Sequence, residues 1–182
     1  MTTSLRPTPM AGVLELVGQP FRDHRGVFLN GFRAEEPAFA QAWGDRAIAQ
    51  VNLSRTEVVG TLRGLHLQAP PHSEAKLVRC LRGRVWDVAV DLRPGSLTRG
   101  QWHAVELSPD QANALLIPEG CAHGFQVLEA GSELLYLHSG AWAPEAETGV
   151  RFDDPHLAIA WPLSPLGLSE RDLSLPLLEL QA

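Results

Sequence analysis

The sequence predicts a mainly β sandwich or barrel with a few short helices. Its 14 prolines and 16 glycines are spread along the whole chain and divide it into short segments. Many of these segments alternate between apolar and polar side chains, which is the period of a strand with one buried face. Short strands in such close succession are typical of sandwiches and barrels. At 182 residues the chain is predicted to form one domain, 1–182.

The first third of the chain is predicted to contain one helix among short strands. The helix is predicted for 35–43, because Pro37 falls in its first turn and Gly44 follows its end. The other predicted elements are an irregular N-terminal arm at 1–12, a strand at 13–17, a turn between strand-forming flanks at 21–28, and a strand at 47–53.

The strongest strand signal comes from two runs in the centre of the chain, 76–82 and 84–92. In the second run Val88 and Val90 share one face, and Asp87 lies on the other. The apolar face is predicted to pack in the core, and the face with small polar side chains to line a cavity. Further strands are predicted at 102–107, 114–117, 124–128 and 134–137, and a final turn or short helix at 169–172.

Composition excludes several classes of function. The net charge of −6 argues against general nucleic-acid binding. No apolar run approaches the length of a membrane span, and the first residues lack the apolar core of a signal peptide. We therefore expect a cytoplasmic protein without a membrane partner. The two cysteines have no CxxC spacing and are expected to be reduced core thiols. Four arginines between 79 and 93 suit a small anionic ligand.

The segment 63–68, Arg-Gly-Leu-His-Leu-Gln, holds three functional side chains. In an extended chain His66 and Gln68 point to the same face. A bend at Gly64 lets Arg63 turn towards that face. A histidine beside a fixed cation is suited to proton transfer near neutral pH.

A second motif, 118–125, delivers His123 onto a strand after a Pro-x-Gly turn. Together with the first motif it resembles the two-part cupin signature. Metal-binding cupins carry two histidines separated by one residue and then a glutamate, but here the second histidine is replaced by Gln68, and Glu74 is out of register. Two nitrogen donors without a matching carboxylate make a poor metal site, so no metal is expected.

The remaining candidates form a set that can perform acid–base chemistry without a metal: His66, His123, Arg63, Lys76 and Tyr136, the only tyrosine. Taken singly, each also has a structural interpretation. His123 could satisfy a buried carbonyl, Lys76 could end a strand, and Tyr136 could belong to the core. Their joint occurrence favours a functional site.

Ten spaced motifs follow one another from about Phe21 to about Leu178, and in this order they resemble the dTDP-4-dehydrorhamnose 3,5-epimerase family. The resemblance implies a cupin jelly roll, a homodimer, and activity without cofactor or metal. The implied substrate is dTDP-4-dehydro-6-deoxy-D-glucose, converted to dTDP-4-dehydro-L-rhamnose in dTDP-rhamnose biosynthesis. The motifs are F-x-D-x-R-G-x-F at 21–28, Q-x-N-x-S at 50–54, R-G-L-H-x-Q at 63–68, K-L-V-R-C at 76–80, D-V-A-V-D at 87–91, G-Q-W at 100–102, P-E-G-x-A-H-G-F at 118–125, D-D-P at 153–155, W-P at 161–162 and L-S-x-x-D at 168–172.

Matched position by position, the resemblance also implies roles. His66 would be the base and Asp172 the carboxylate that orients it. Lys76 would stabilise an enolate oxygen, and Tyr136 would be the acid on the opposite face of the sugar. Asp87 would pair with His123. Substrate contacts are implied for Arg25, Asn30, Gln50, Asn52, Arg63, Gln68, His123, Trp142, Glu147 and Arg171.

Three positions depart from the family pattern. Asn30 replaces a common glutamate, Trp142 a stacking tyrosine, and Leu137 a frequent lysine. These changes keep the base and the acid but leave the nucleotide open, so a GDP or CDP sugar and a single-site epimerase at C3 or C5 remain alternatives. The others are a 3,4-ketoisomerase, a non-catalytic sugar-nucleotide-binding cupin, and a metal-dependent cupin oxygenase. We expect the N-terminal third of a partner subunit to complete the site.

Overall fold

The computed structural model describes residues 2–179, and most of its regular structure is strand. Neither helix in this range is long and apolar enough to cross a membrane. The helices are α1 (Pro37–Trp43) and α2 (Glu170–Ser174), with a 3₁₀ turn at Pro144–Ala146. The strands are β1 (Thr3–Pro7), β2 (Leu14–Gly18), β3 (Phe21–Asp23), β4 (Gly26–Phe28), β5 (Gln50–Thr56), β6 (Leu62–Gln68), β7 (Lys76–Arg82), β8 (Val85–Asp91), β9 (Trp102–Leu107), β10 (Asn113–Ile117), β11 (Cys121–Val127), β12 (Ser132–His138) and β13 (Glu147–Gly149).

Two antiparallel sheets face each other and confirm the predicted β sandwich. Within residues 2–179, the larger sheet has the strand order β1-β2-β10-β7-β12-β5, and the smaller one β13-β6-β11-β8-β9. Strands β3 and β4 form a separate hairpin. Neighbours in the sheets are mostly distant in sequence, so the site that lies between them is assembled from the whole chain.

Apolar side chains pack in three layers. The first lies between the sheets and includes Val78 and Phe125. The second lies between the larger sheet and α1, where Phe39 is fully buried. The third lies on the outer face of the smaller sheet, where Val88 and Val90 pack beneath the segment after β13. Each such buried side chain contributes about 1.5–3 kcal/mol. Because central strands are covered on both faces, their apolar residues form continuous runs.

Local signals place most elements correctly. Helix α1 begins at Pro37 and ends before Gly44, whose φ of 64° is readily adopted by glycine. Strands β7 and β9 have their predicted bounds. The irregular arm predicted over 1–12 is wrong for Thr3–Pro7, which pairs with β2 at the edge of the larger sheet. An edge strand has one hydrogen-bonded neighbour and mostly exposed side chains, so apolar alternation gives little sign of it. Strand β13 lies where no strand is predicted.

Strands β6 and β11 approach each other so closely at Gly64 and Gly124 that neither position has room for a side chain. A Cβ on Gly64 would lie 2.5 Å from the Gly124 Cα, and one on Gly124 would lie 2.8 Å from the Arg63 carbonyl oxygen. Gly64 also has φ 130°. The strand pairing is irregular at this point, and Arg63 and His66 line the same cavity although they are three residues apart. The predicted bend at Gly64 is confirmed.

We expect Gly64→Ala to destabilise the protein far more than Gly26→Ala. Both glycines have φ 130°, so alanine is strained at each by about 1–3 kcal/mol. A Cβ on Gly64 would also overlap with the backbone of Gly124, whereas a Cβ on Gly26 meets nothing within 4 Å. Urea unfolding of the two variants measures the difference. Equal losses of unfolding free energy would contradict the close approach of β6 and β11.

Candidate active site

A cavity of about 470 Å³ opens between the sheets where their inner faces become polar. Along β7 the inward positions change from apolar Val78 to Lys76, and along β12 from Leu134 to Tyr136 and His138. The register brings these positions side by side, because His138 lies opposite Lys76. Apolar packing thus holds one part of each strand and leaves the other part free to carry functional groups.

The facing sheet contributes two histidines at one rung. His66 on β6 and His123 on β11 are direct cross-strand partners, and both line the cavity. His66 Nε2 lies 2.6 Å from Asp172 Oδ1, and His123 Nε2 lies 2.8 Å from Asp87 Oδ1. The predicted pairing of His123 with Asp87 is confirmed. Each imidazole therefore has a carboxylate that fixes its orientation.

The position of Asp172 is fixed by the first turn of α2. Ser169 is the N-cap residue: its hydroxyl accepts the Asp172 backbone N–H at 3.1 Å, and its own N–H donates to Asp172 Oδ2 at 3.3 Å. This capping box uses one carboxylate oxygen and leaves the other for His66. Burial acts to raise the pKa of Asp172, but the hydrogen bonds from His66 and Ser169 outweigh it and hold the pKa below its usual value. The carboxylate beside His66 is therefore ionised at neutral pH.

Lys76 lies on the floor of the cavity and is buried. Its Nζ donates to the His66 carbonyl oxygen at 3.2 Å and lies 3.4 Å from Glu74 Oε1. Burial lowers the pKa of Lys76, and the adjacent carboxylate of Glu74 opposes that shift. An ammonium ion in such a site interacts strongly with negative charge on a ligand, because little water screens it.

Tyr136 faces the cavity with its hydroxyl 3.1 Å from Ser54 Oγ. Burial raises the pKa of Tyr136, and the hydrogen bond with Ser54 offsets only part of that shift. The phenol therefore keeps its proton until a strong base is formed close by. Its ring contacts the ring of His123 edge to face, with centroids 5.9 Å apart.

The structure brings together most of the residues predicted from sequence. Asp172 lies behind His66, and Arg171 forms an ion pair of 2.7 Å with Glu147 at the cavity wall. Arg25 and Asn30 do not line the cavity, and Arg25 pairs instead with Asp23 in the β3–β4 hairpin. The predicted residues that line the cavity are Gln50, Asn52, Arg63, His66, Gln68, Lys76, His123, Tyr136, Trp142 and Glu147.

Gln68 lies in the wall, with its amide bound to the protein. Its Oε1 accepts the Ala143 N–H at 2.6 Å, and its Nε2 donates to Glu74 Oε2 at 2.6 Å. The same nitrogen also lies within hydrogen-bond distance of the His72 and Ala141 carbonyl oxygens. These bonds tie β6 to the loops before β7 and after β12. A direct contact of Gln68 with substrate stays a prediction.

Sequence reasoning missed three polar cavity residues: Glu74, His138 and Ser54. In the sequence Glu74 is out of register with the glutamate of metal-binding cupins, and no other motif points to it. It is 3.5 Å from His138 Nδ1, a third histidine–carboxylate pair beside the cavity. The strand predicted at 134–137 stopped one residue short of His138, and the motif that contains Ser54 gave it no role. Within residues 2–179, no three His, Cys, Asp or Glu side chains converge as a metal site would require.

The family model for dTDP-4-dehydrorhamnose 3,5-epimerase matches residues 7–179. The chain belongs to this epimerase family. It is an isomerase, and the family resemblance inferred from the motifs is confirmed.

Individual relatives of the epimerase match over most of their length. A dTDP-4-dehydrorhamnose 3,5-epimerase of Pseudomonas aeruginosa is 46% identical over 155 residues, 84% of this chain and 83% of that protein. A dTDP-4-dehydrorhamnose 3-epimerase of Streptomyces niveus is 43% identical over 169 residues, 92% of this chain and 80% of that protein. The structure of a 3,5-epimerase from Legionella pneumophila, in complex with dTDP-4-keto-L-rhamnose, has a TM-score of 0.90 at 37% identity and covers 96% of this chain and 92% of that chain. The predicted cupin-type fold is thereby confirmed.

We expect the Asp172 carboxylate to stabilise the epimerase at neutral pH and to lose that effect in acid. Its pKa is lower folded than unfolded, so its contribution is complete above the unfolded value of about 3.9 and disappears as the pH falls through the folded value. Asp172→Asn should therefore cost about 1–3 kcal/mol near pH 7, with the gap to wild type narrowing below about pH 4. Urea unfolding across this pH range measures it, with Asp110→Asn on an exposed turn as the control. A gap that stayed constant down to about pH 3 would contradict this assignment.

Proposed function

We propose that this epimerase inverts C3 and C5 of dTDP-4-dehydro-6-deoxy-D-glucose and releases dTDP-4-dehydro-L-rhamnose. One observation carries the proposal: the cavity has on one sheet a histidine that is paired with the aspartate of α2, and on the other sheet a phenol and an ammonium ion. The 3,5-epimerase of P. aeruginosa and the dTDP-4-keto-L-rhamnose complex of the L. pneumophila enzyme support the choice of substrate.

The chemistry follows from the 4-keto group, which makes the protons on C3 and C5 acidic. His66 removes one of these protons, and Asp172 stabilises the imidazolium that results. The electron pair of the broken C–H bond moves to the keto oxygen, where Lys76 balances the negative charge of the enolate. Tyr136 then gives a proton to the carbon from the opposite face. His66 then releases its proton to solvent and Tyr136 regains one from solvent, so that the same steps at the second carbon complete the reaction, with no net oxidation or reduction and no cofactor or metal.

The polar side chains around the reacting groups suit a nucleoside diphosphate. Arg63 lines the cavity, and its guanidinium group matches the geometry of phosphate oxygens. Trp142 is 59% exposed at the cavity, where its ring can stack on a nucleotide base. Gln50, Asn52 and His123 supply hydrogen-bonding groups for the sugar.

We further propose a homodimer in which the partner's N-terminal third completes the site. The β3–β4 hairpin exposes Phe21, Val27 and Phe28, each more than half exposed, although apolar side chains of this size are normally buried. Arg25 lies on the same hairpin, away from the cavity of its own chain. Docking of this hairpin on a second copy would cover the apolar side chains and bring Arg25 and Asn30 to the other cavity.

We propose the cytoplasm as the site of action. Cys80 and Cys121 are both free and buried, as predicted. Burial raises the pKa of each thiol to about 12, so neither is reactive at neutral pH. Unpaired thiols of this kind fit a reducing compartment.

Incubation of the epimerase with dTDP-4-keto-6-deoxyglucose in D₂O, followed by NMR, tests the reaction. We expect deuterium at both C3 and C5. Label at one carbon alone would make it a single-site epimerase, as the name of the S. niveus relative describes for that protein. Exchange with a GDP or CDP sugar and none with the dTDP sugar would overturn the nucleotide assignment.

Two variants test the roles of the base and the acid in the same assay. His66→Asn should reduce exchange at both carbons by about 10²–10⁴-fold, because no other base replaces the imidazole. Tyr136→Phe should slow net inversion more than exchange, because proton removal still proceeds. His156→Asn, on an exposed turn, is the control. Wild-type rates in His66→Asn would refute the mechanism.

Heterodimers of two inactive variants test the shared site. One chain carries Arg25→Ala and the other His66→Asn, and the two are co-expressed with different tags and purified through both. The cavity that keeps His66 then receives the unchanged Arg25 of the other chain, so one of the two sites is intact and about half of wild-type activity should be recovered. His66→Asn with Lys76→Met should recover none, since both residues lie in the cavity of one chain. An Arg25→Ala and His66→Asn heterodimer as inactive as this control would contradict a site completed by the partner.

A further inference from the structure

Glu74 is a buried carboxylate on the floor of the cavity, and the proposed reaction gives it no role. It is 8% exposed. One oxygen, Oε1, lies 3.4 Å from Lys76 Nζ and 3.5 Å from His138 Nδ1, and Oε2 accepts Gln68 Nε2 at 2.6 Å. Three side chains thus place nitrogen atoms around one carboxylate, whose two oxygens can accept several hydrogen bonds.

A hydrogen-bond chain of fixed direction reaches Glu74 from the loop after β12. The backbone N–H of Trp142 can only donate, so Gln50 Oε1 accepts it at 2.9 Å. Gln50 Nε2 therefore donates to Asn52 Oδ1 at 2.9 Å, which leaves Asn52 Nδ2 as the group that faces His138 Nε2 at 3.4 Å. With Nε2 of the neutral imidazole accepting, the ring proton lies on Nδ1, towards Glu74.

A second chain of fixed direction arrives from the next residue of the same loop. The Ala143 N–H donates to Gln68 Oε1 at 2.6 Å, and Gln68 Nε2 then donates to Glu74 Oε2. Two consecutive backbone amides therefore orient two side-chain relays that converge on one carboxylate. The only charged donor in this convergence is Lys76, and it is the one that faces the reacting sugar in the proposed reaction.

Lys76 is the only lysine in the chain, against 14 arginines. A buried lysine tends to lose its proton, and burial is the largest influence that lowers the pKa of Lys76. Among the charged groups that oppose or assist this effect, Glu74 raises the pKa most, Glu147 raises it less, and Arg171 lowers it. The titratable and charged side chains that line the cavity with Lys76 are Glu74 before β7, Arg63 and His66 on β6, His123 on β11, Tyr136 and His138 on β12 and Glu147 on β13, and Arg171 on α2 also acts on its charge.

We propose that Glu74 is a positioning residue of this epimerase, which holds Lys76 as an ammonium ion facing the 4-keto oxygen, while neutral His138 and Gln68 hold the carboxylate in place. The proposal rests on the role proposed above for Lys76. It gives a reason for a carboxylate so close to the cavity floor, where an unpaired negative charge would repel an enolate. Paired with Lys76, the carboxylate instead keeps the positive charge available at neutral pH.

Titration of Lys76 tests the proposal without substrate. Lysine labelled with ¹³C at Cε gives one NMR signal, because the chain has one lysine. In Glu74→Gln the midpoint of its titration should fall by at least about one pH unit. Glu145→Gln, on the exposed 3₁₀ turn, is the control and should leave the midpoint unchanged. An unchanged midpoint in Glu74→Gln overturns the proposal. If Glu74→Gln does not fold, Glu74→Asp replaces it, because aspartate keeps the charge on a shorter side chain. We expect Glu74→Asp to lower the titration midpoint of Lys76 by a smaller amount. An unchanged midpoint in Glu74→Asp would also overturn the proposal.

Kinetics separates positioning from general structural support. In Glu74→Gln we expect kcat to fall about ten-fold or more with a smaller change in KM, and the alkaline limb of the kcat profile to move to lower pH. In a Lys76→Arg background the same substitution should not move the limb, because a guanidinium stays protonated. If the alkaline limb moves equally in the wild-type and Lys76→Arg backgrounds, the proposal is overturned. If Lys76→Arg is inactive, the titration of Lys76 decides. If the wild-type protein does not act on the dTDP sugar, only the proposed function is refuted, and the titration still tests the effect of Glu74 on Lys76.

Discussion

The pairing of buried ionisable groups is the constraint on which the whole site depends. An unpaired charge in a protein interior is costly, so each functional side chain around the cavity needs a partner that is also buried. His66 has Asp172, His123 has Asp87, and Lys76 has Glu74. These partners come from a helix at the far end of the chain, from a neighbouring strand and from a loop. Each functional group is therefore stable in its place only when the segment that carries its partner has packed against it.

The two sheets meet this demand by dividing their inner faces. Apolar side chains such as Val78 and Leu134 hold one part of the sandwich together, and the polar positions further along the same strands line the cavity. Strand register brings together residues that are far apart in sequence: it places His138 beside Lys76 and His66 beside His123. The rigid apolar part of each strand keeps the polar part in position. The hydrogen bonds around the cavity therefore keep a fixed geometry, on which proton transfer depends.

Much of this could be predicted from sequence because the signals are local. Proline and glycine fix the bounds of α1, alternating residues reveal β8, and motifs that resemble a family point to His66 and Asp172. The signals fail where the determinant is distant. Strand β1 is held by one neighbour at a sheet edge, and its own residues give little sign of it. Glu74 and His138 are 64 positions apart in the chain and meet only through sheet register, so neither attracts attention by itself. Arg25 fits its motif, yet the fold of a single chain leaves it away from the cavity.

The capping box of α2 has a consequence for the order in which the cavity is assembled during synthesis. His66 and Asp172 are 106 positions apart, and every strand that lines the cavity leaves the ribosome before α2 does. A nascent chain can therefore pair its strands and close its core while the histidine still lacks its carboxylate. The two-sheet framework can form early, but the His66–Asp172 pair forms only when α2 has emerged and docked. Partly made chains thus acquire the shape of the enzyme before all of its histidine–carboxylate pairs are complete.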